Sequence, residues 1–156
     1  CHLICGIFGY RVMCDVLDSF NRRDLIYRIM ANEGYLCPQH FLEGGRTTFT
    51  ESPDWDGSGC HCMWGSPDAA LFKIFGGITI DRRREVAVEI RPYFVEEVGF
   101  VHCKQLIEEG EVSVDWEYTN DGIVVDMNLP TKAIVSLPNT EQKVFDAGKY
   151  HFVLNK

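Results

Sequence analysis

The chain has 156 residues, and its 46% hydrophobic and 24% charged residues are typical of a folded globular protein rather than a disordered one. Its formal net charge is −8 and its longest basic run is the three arginines at 82–84. We therefore expect no nucleic-acid partner, because such a partner needs a basic face. No apolar run approaches the ~18 residues of a membrane span, so no membrane partner is expected.

The seven cysteines give no obvious disulfide framework, because their number is odd and only Cys60 and Cys62 are close in sequence. No signal peptide is recognisable at the start of the chain. We therefore expect mostly reduced, buried thiols and a cytoplasmic location. The chain opens with CHLICGIFGY, without a methionine, and we interpret it as the last part of a longer protein.

The first half of the chain predicts helices, because its apolar residues recur at intervals of three and four. The first helix is predicted within residues 10–20, with an apolar set made of Val12, Met13, Val16, Leu17 and Phe20. The second follows, with an apolar face made of Leu25, Ile26, Ile29 and Met30. Asp24 suits the N-cap or first turn of this second helix.

A third helix is indicated by SPDAALFKIFGG, with Ser66 as N-cap, Pro67 in the first position and Gly76 and Gly77 at the end. Three helices in roughly 75 residues cannot easily bury their apolar faces alone. We therefore expect this half to pack on missing upstream helices, on the second half of the chain, or on a second copy in a homodimer.

After Gly77 the apolar period changes to two, as in half-buried strands. EVSVDWEY and GIVVDMNL are two such strands, joined by TNDG, in which Asp121 and Gly122 can supply positive φ values. Four more strands are predicted in EVAVEIRP, GFVHCKQL, KAIVSLP and KYHFVLNK. The fold class is thus α+β, with a helical domain over 1–76 and an antiparallel β-sandwich of roughly six to eight strands over 77–156.

The stretch TTFTESPDWDGSGCHCMWGS, at positions 47–66, lies in a long segment without a helix or strand pattern. Such segments are usually functional or disordered. Trp55 and Trp64 can provide flat apolar surfaces for sugar rings, and His61 adds two hydrogen-bonding nitrogens. With two aspartates as hydroxyl acceptors, and with Gly57 and Gly59 allowing close backbone approach, the stretch suggests a carbohydrate site.

Three other interpretations of this stretch remain open. An isolated Glu such as Glu51 is ordinarily a solvated surface residue. Cys60, His61 and Cys62, with Cys103, could bind zinc, although C-H-C in direct succession lacks the usual spacing of a chelating turn. A cysteine nucleophile paired with His61 is less favoured, because adjacent residues rarely present thiol and imidazole to each other.

Several blocks of the chain, in this order, are similar to inverting α-L-rhamnosidases: RRDLIYRIM, FLEGGRTTFTES, CHCMWGS and LFKIFGGI. They resemble the end of the six-hairpin (α/α)₆ toroid of these enzymes. The later blocks GGITID, VEIRPYF, GEVSVDWEY and DAGKYHFVL resemble their C-terminal β-sandwich. The resemblance implies the last helical hairpins of the toroid followed by an antiparallel sandwich.

The resemblance also implies roles for residues of the loop. Glu51 matches the general base, and His61 matches a histidine that contacts the rhamnose. Trp64 falls where the family lines the sugar, and Trp55 is expected to replace the indole that usually precedes the base. Arg46 is expected to contact the sugar or to orient Glu51.

The implied chemistry needs no metal and no cofactor, and the implied partner is a rhamnoside substrate. An inverting hydrolase also needs a general acid. In the family this acid lies upstream, in helices that the chain does not contain. We therefore expect the chain alone to be incomplete and inactive as a glycosidase. A non-catalytic carbohydrate-binding or structural module is the alternative, and a small zinc-stabilised domain is the weakest one.

Overall fold

The chain divides into two compact units, Cys1–Ala70 and Leu71–Lys156. The computed structural model describes residues 5–34, 37–54 and 56–155. It contains helices in the first unit and two mainly antiparallel sheets in the second, as the α+β fold class predicts. The domain limits at residues 76 and 77 stay a prediction. Among the described residues, none of the helices combines the length and the apolar character that membrane crossing requires.

The described part of the first unit contains four short helices and a long loop between the last two of them. They are α1 (Ile7–Ser19), α2 (Arg23–Met30), α3 (Pro38–Leu42) and α4 (Ser66–Ala70). A 3₁₀ turn, Glu43–Gly45, follows α3, and another, Cys62–Gly65, precedes α4. The first two predicted helices are present, and Asp24 lies in the first turn of α2 as expected. The capping roles predicted for the side chains of Ser66 and Pro67 lie outside the described residues.

The helix predicted within residues 10–20 exists, but its buried face differs from the predicted one. Tyr10 and Cys14 are buried, whereas Val12, Val16 and Phe20 are 61%, 47% and 76% exposed. Phe8, four residues before Val12, is 74% exposed and continues the same row. The prediction failed because two rows of α1 have helical spacing, and packing within this unit covers the other one.

A buried ion pair joins α1 to α2. Arg23 Nε donates to Asp18 Oδ1 at 2.6 Å, and both side chains are at least nine-tenths buried. Asn21, at the connection, adopts a positive φ of 56°. Charge-assisted bonds of this kind fix the geometry of the groups they join, so the two helices are held at this corner.

The second unit is a sandwich of two four-stranded sheets. The first sheet has the order β1-β2-β6-β7, with β1 (Ile78–Ile80), β2 (Val88–Ile90), β6 (Ala133–Val135) and β7 (Lys143–Phe145). The second has the order β3-β4-β5-β8, with β3 (Phe100–Ile107), β4 (Gly110–Thr119), β5 (Gly122–Leu129) and β8 (Gly148–Leu154). All six predicted strands are present, and the short β1 and β7 were missed. The antiparallel prediction is wrong for one pair, because β2 and β6 are parallel.

The hairpin between β4 and β5 lies where TNDG predicts it, with Thr119 paired to Gly122. Gly122 has a φ of 143°, whereas Asp121 is not among the described residues with positive φ. Gly122 therefore belongs to the paired strand end, and Asn120 and Asp121 form the turn itself. A side chain at Gly122 would collide with the carbonyl oxygen of Leu154, which explains the glycine.

The core of the sandwich consists of the alternating residues of the long strands. Val112, Val114 and Trp116 of β4 are at most 2% exposed, and Trp116 Nε1 donates to the carbonyl oxygen of Phe75 at 2.7 Å. Phe75 ends a one-turn π-helix, Leu71–Phe75, that enters this unit. Trp116 therefore lies in the core in phase with Val112 and Val114, and its indole also fixes the turn before β1.

Replacing Trp116 with phenylalanine is expected to lower the free energy of unfolding by about 1–3 kcal/mol, because a buried donor and part of the ring volume are lost. Urea titration followed by circular dichroism measures this. Tyr150→Phe is the matched control, since its hydroxyl donates to Asp146 O at 3.0 Å in an exposed position. A Trp116→Phe protein no less stable than Tyr150→Phe would contradict the expectation.

Candidate functional site

The loop that precedes the second 3₁₀ turn folds back on itself. Glu51 N–H donates to Ser58 O at 2.9 Å, and His61 N–H donates to Phe49 O at 2.7 Å. Thr48 Oγ1 adds a bond to the carbonyl oxygen of Gly59 at 2.8 Å. These bonds connect residues 48–51 with residues 58–61. The loop therefore has a defined conformation that places Glu51 and His61 on the same hydrogen-bonded framework.

The Glu51 carboxylate is exposed and bound by the opposite side of the loop. Its Oε2 accepts the backbone N–H of Ser58 at 3.0 Å. This bond and one from the Ser58 side chain lower the pKa of Glu51, and the positive charge of protonated His61 acts in the same direction. Donors stabilise the ionised form of a carboxylate. Glu51 is therefore an ionised, water-accessible group, as a general base must be.

His61 is the second candidate side chain of the loop. Its backbone is fixed by Phe49, and its imidazole is close enough to Glu51 to act on the pKa of that carboxyl. Its Nε2 is buried and has no hydrogen-bond partner in the structure. Buried polar atoms are nearly always paired, so an unpaired one calls for a ligand or water. The structure therefore brings together the two residues for which the resemblance implied the most direct roles.

Trp64 has a different environment from the one predicted. It is 4% exposed and packs against Phe41 and Tyr10, with ring centroids 4.8 Å and 6.4 Å away. Its Nε1 donates to the carbonyl oxygen of Glu51 at 3.3 Å. The predicted flat wall for a sugar is therefore not presented by this ring. Trp64 instead anchors the backbone of Glu51 to the core of the first unit.

The sugar contacts predicted for Trp55 and Arg46 are not tested by the structure. Trp55 lies outside the described residues, so its predicted role as a sugar platform is not described. Arg46 is half-buried on extended backbone, directly after the 3₁₀ turn, and its role in orienting Glu51 stays a prediction. Thr50, directly before Glu51, is buried, and its hydroxyl donates to Ser52 O at 2.6 Å.

The cysteines do not form a described metal centre. Among residues 5–34, 37–54 and 56–155, no three His, Cys, Asp or Glu side chains are grouped so that they could hold a metal ion. The thiols of Cys60 and Cys62 are exposed, while those of Cys14, Cys37 and Cys103 are buried. The described residues therefore give no support to the zinc alternative. The cytoplasmic location stays a prediction.

Sequence reasoning missed the part played by Ser58 and misread that of Gly57. The glycine was expected to let the backbone approach a ligand, but it lies against the Glu51 carboxylate. The motif GSG was the available signal, since glycine often marks close backbone approach. Nothing in the sequence says that the approaching group is a carboxylate six residues earlier.

Comparison with known proteins gives consistent results in sequence and in fold. No protein-family model matches the chain. It is 24% identical to an α-L-rhamnosidase of Alteromonas sp. (strain LOR) over 140 residues, which cover 83% of this chain and 15% of that protein. It is 22% identical over 168 residues to an α-L-rhamnosidase of Formosa agariphila, covering 99% and 18%. The resemblance to α-L-rhamnosidases is confirmed.

Solved structures show the same fold. The α-L-rhamnosidase from Dictyoglumus thermophilum superposes with a TM-score of 0.83 at 21% identity, covering 99% of this chain and 21% of that one. The Streptomyces avermitilis α-L-rhamnosidase complexed with L-rhamnose gives a TM-score of 0.85 at 22% identity, covering 99% and 18%. The chain thus spans less than a fifth of the length of the two curated α-L-rhamnosidases named above.

Proposed function

We propose that this chain is the C-terminal part of an α-L-rhamnosidase-like glycoside hydrolase, with Glu51 as the general base of an inverting reaction on terminal α-L-rhamnosides. The observation that carries the proposal is the pairing of an ionised, exposed Glu51 with His61, whose Nε2 has no partner. The curated relatives, which are α-L-rhamnosidases, support the choice of substrate.

In an inverting hydrolase one carboxylate removes a proton from water while an acid on the opposite side protonates the leaving oxygen. Glu51 would accept the proton of a water that attacks the anomeric carbon. Its exposure lets water reach the carboxylate, and its lowered pKa keeps it ionised in mildly acidic solution. His61 Nε2 would bind a sugar hydroxyl and so hold the anomeric carbon near that water.

The general acid would come from helices upstream of this chain. Inverting enzymes place acid and base ~6.5–9.5 Å apart on opposite sides of the sugar. Asp54 and Asp56 belong to the same loop as Glu51, which makes either a poor choice. We propose that the first unit corresponds to the last hairpins of a toroid. The exposed row Phe8, Val12 and Val16 of α1 would then pack against the missing helices.

A non-catalytic carbohydrate-binding module is the second candidate. It is favoured by one observation, that the loop brings Glu51 and His61 together while its other carboxylates, Asp54 and Asp56, belong to the same loop as Glu51. Such a module would bind rhamnose through the same two residues and release it unchanged. Hydrolysis assays separate it from the enzyme, whereas binding assays do not.

Titration calorimetry with L-rhamnose tests the sugar-binding half of the proposal. We expect weak binding by the wild-type chain and a loss of at least about tenfold in affinity for His61→Ala, because the only hydrogen bond of its Nε2 would be to the sugar. His40→Ala is the control, since His40 pairs with Glu43 at 3.4 Å elsewhere in this unit. A folded wild-type chain that gives no heat would contradict the proposal that this half-site binds sugar.

A further inference from the structure

Glu51 and Ser58 are bonded to each other in both directions. The backbone N–H of Glu51 donates to Ser58 O at 2.9 Å, and the backbone N–H of Ser58 donates to Glu51 Oε2 at 3.0 Å. One residue therefore holds both the main chain and the carboxylate of the other. An exposed glutamate has considerable rotamer freedom, and such a pair of bonds removes much of it.

Gly57 provides the space in which the carboxylate lies. A Cβ at this position would stand 2.5 Å from Glu51 Oε2 and 2.9 Å from Cδ, closer than real Cβ atoms approach such atoms. Gly57 also has a φ of 79°, a conformation that favours glycine. Two neighbouring residues thus define where the carboxylate can be, one by bonding it and one by leaving room for it.

We propose that Ser58 is a positioning residue for Glu51 that holds the carboxylate in one orientation. Gly57, which has no side chain, leaves the space that the carboxylate occupies. This inference rests on the proposed role of Glu51 as the base. A base must point at its water within a narrow range of distance and angle, and small misplacements lower the rate strongly. Donor bonds from Ser58 also favour the ionised form, which is the form that accepts a proton.

The titration of the Glu51 carboxyl, followed by carbon NMR, tests the bond from the Ser58 hydroxyl to the carboxylate. Ser58→Ala removes this bond and keeps the backbone N–H. We expect Ser58→Ala to shift the titration midpoint upward, because the hydroxyl donor is lost. Ser58→Thr, which keeps a hydroxyl, should restore the wild-type midpoint. Ser52→Ala is the matched control, since Ser52 Oγ accepts the Asp54 N–H at 3.2 Å and should leave the midpoint unchanged.

A second variant tests the space at Gly57 without removing a hydrogen-bond donor. Gly57→Ala should displace the carboxylate, which moves the Cδ resonance of Glu51 and lowers kcat roughly tenfold to a hundredfold with little change in KM. An activated rhamnosyl donor is used for the kinetics, because its leaving group needs no acid. Gly45→Ala is the control, since Gly45 has a φ of 80°, close to that of Gly57, and nothing lies within 4 Å of a Cβ there. Ser58→Ala should move the acidic limb of the kcat profile to higher pH.

The outcomes separate this inference from the proposed function. An unchanged midpoint in a folded Ser58→Ala protein overturns the positioning role, whatever the activity. A raised midpoint, together with Glu51→Gln kinetics equal to wild type, supports the bond and overturns the base. If Ser58→Ala does not fold, equal Cδ shifts and rates in Gly57→Ala and Gly45→Ala overturn the inference.

Discussion

Glu51→Gln is expected to lower the hydrolysis of α-L-rhamnosyl fluoride by this chain by about 10²–10⁴-fold, the usual contribution of a general base. Glutamine has nearly the shape of glutamate and can still accept the N–H of Ser58, so the loop should keep its conformation. It cannot accept the proton of the attacking water. The loss should therefore appear in kcat and only weakly in KM.

Fluoride is chosen because it departs without protonation, so the reaction needs a base and no acid. An unactivated methyl rhamnoside should remain uncleaved, because its leaving oxygen must be protonated and the proposed general acid lies upstream of this chain. Glu43→Gln is the matched control, since Glu43 is an exposed carboxylate of the same unit that pairs with His40. It should leave the rate unchanged.

Azide gives a further test of the same role. In Glu51→Ala the carboxylate is absent, and a small anionic nucleophile can take the place of the activated water. We expect azide to restore product formation and to yield the rhamnosyl azide of inverted configuration, because attack comes from the side of the missing base. A Glu51→Gln protein that is as active as wild type would contradict the role of this residue.

The sequence predicts the fold of the second unit well, because its long strands alternate strictly. Val112, Val114 and Trp116 identify β4 and its buried face without further information. The three-residue strands β1 and β7 are too short to show a period, so they were missed. The parallel pairing of β2 with β6 joins segments that are distant in sequence. The alternation of apolar residues within one strand does not indicate which strand it pairs with or in which direction.

Two histidine–aspartate pairs between neighbouring strands also could not be predicted from the sequence. His102 bonds Asp115 at 2.9 Å, and His151 bonds Asp126 at 2.8 Å, so all four side chains form one row across the second sheet. The partners are 13 and 25 residues apart in sequence, and only the strand register brings them together. Spacing along the chain therefore gave no reason to pair these histidines.

The site was predicted in part, and the reason differs between residues. Glu51 and His61 were identified through the resemblance, and the structure brings them together. Trp64 was expected to offer a flat surface to the sugar and to line it as the resemblance implies, but its ring is buried against α1 and α3, which pack around it. Ser58 could not be found, because a hydrogen bond across a loop depends on how the loop closes.

Gly77→Ala is expected to lower the free energy of unfolding of the second unit by about 3 kcal/mol or more, through strain and collision together. Gly77 has a φ of 70°, and a Cβ there would collide with the backbone of Arg91 and Pro92. That backbone is itself held, since Arg91 N–H donates to Gly77 O at 2.8 Å. The collision cannot be relieved by turning a side chain.

Gly99→Ala separates the two causes. Gly99 has a φ of 79°, close to that of Gly77, but nothing lies within 4 Å of a Cβ at that position. Gly99→Ala should therefore lower the free energy of unfolding only by the strain of the left-handed conformation, about 1–2 kcal/mol. Urea titrations of both variants, followed by circular dichroism, give the difference. Equal losses would mean that the turn before β1 can move away from residues 91 and 92, and that Gly77 is required for its φ alone.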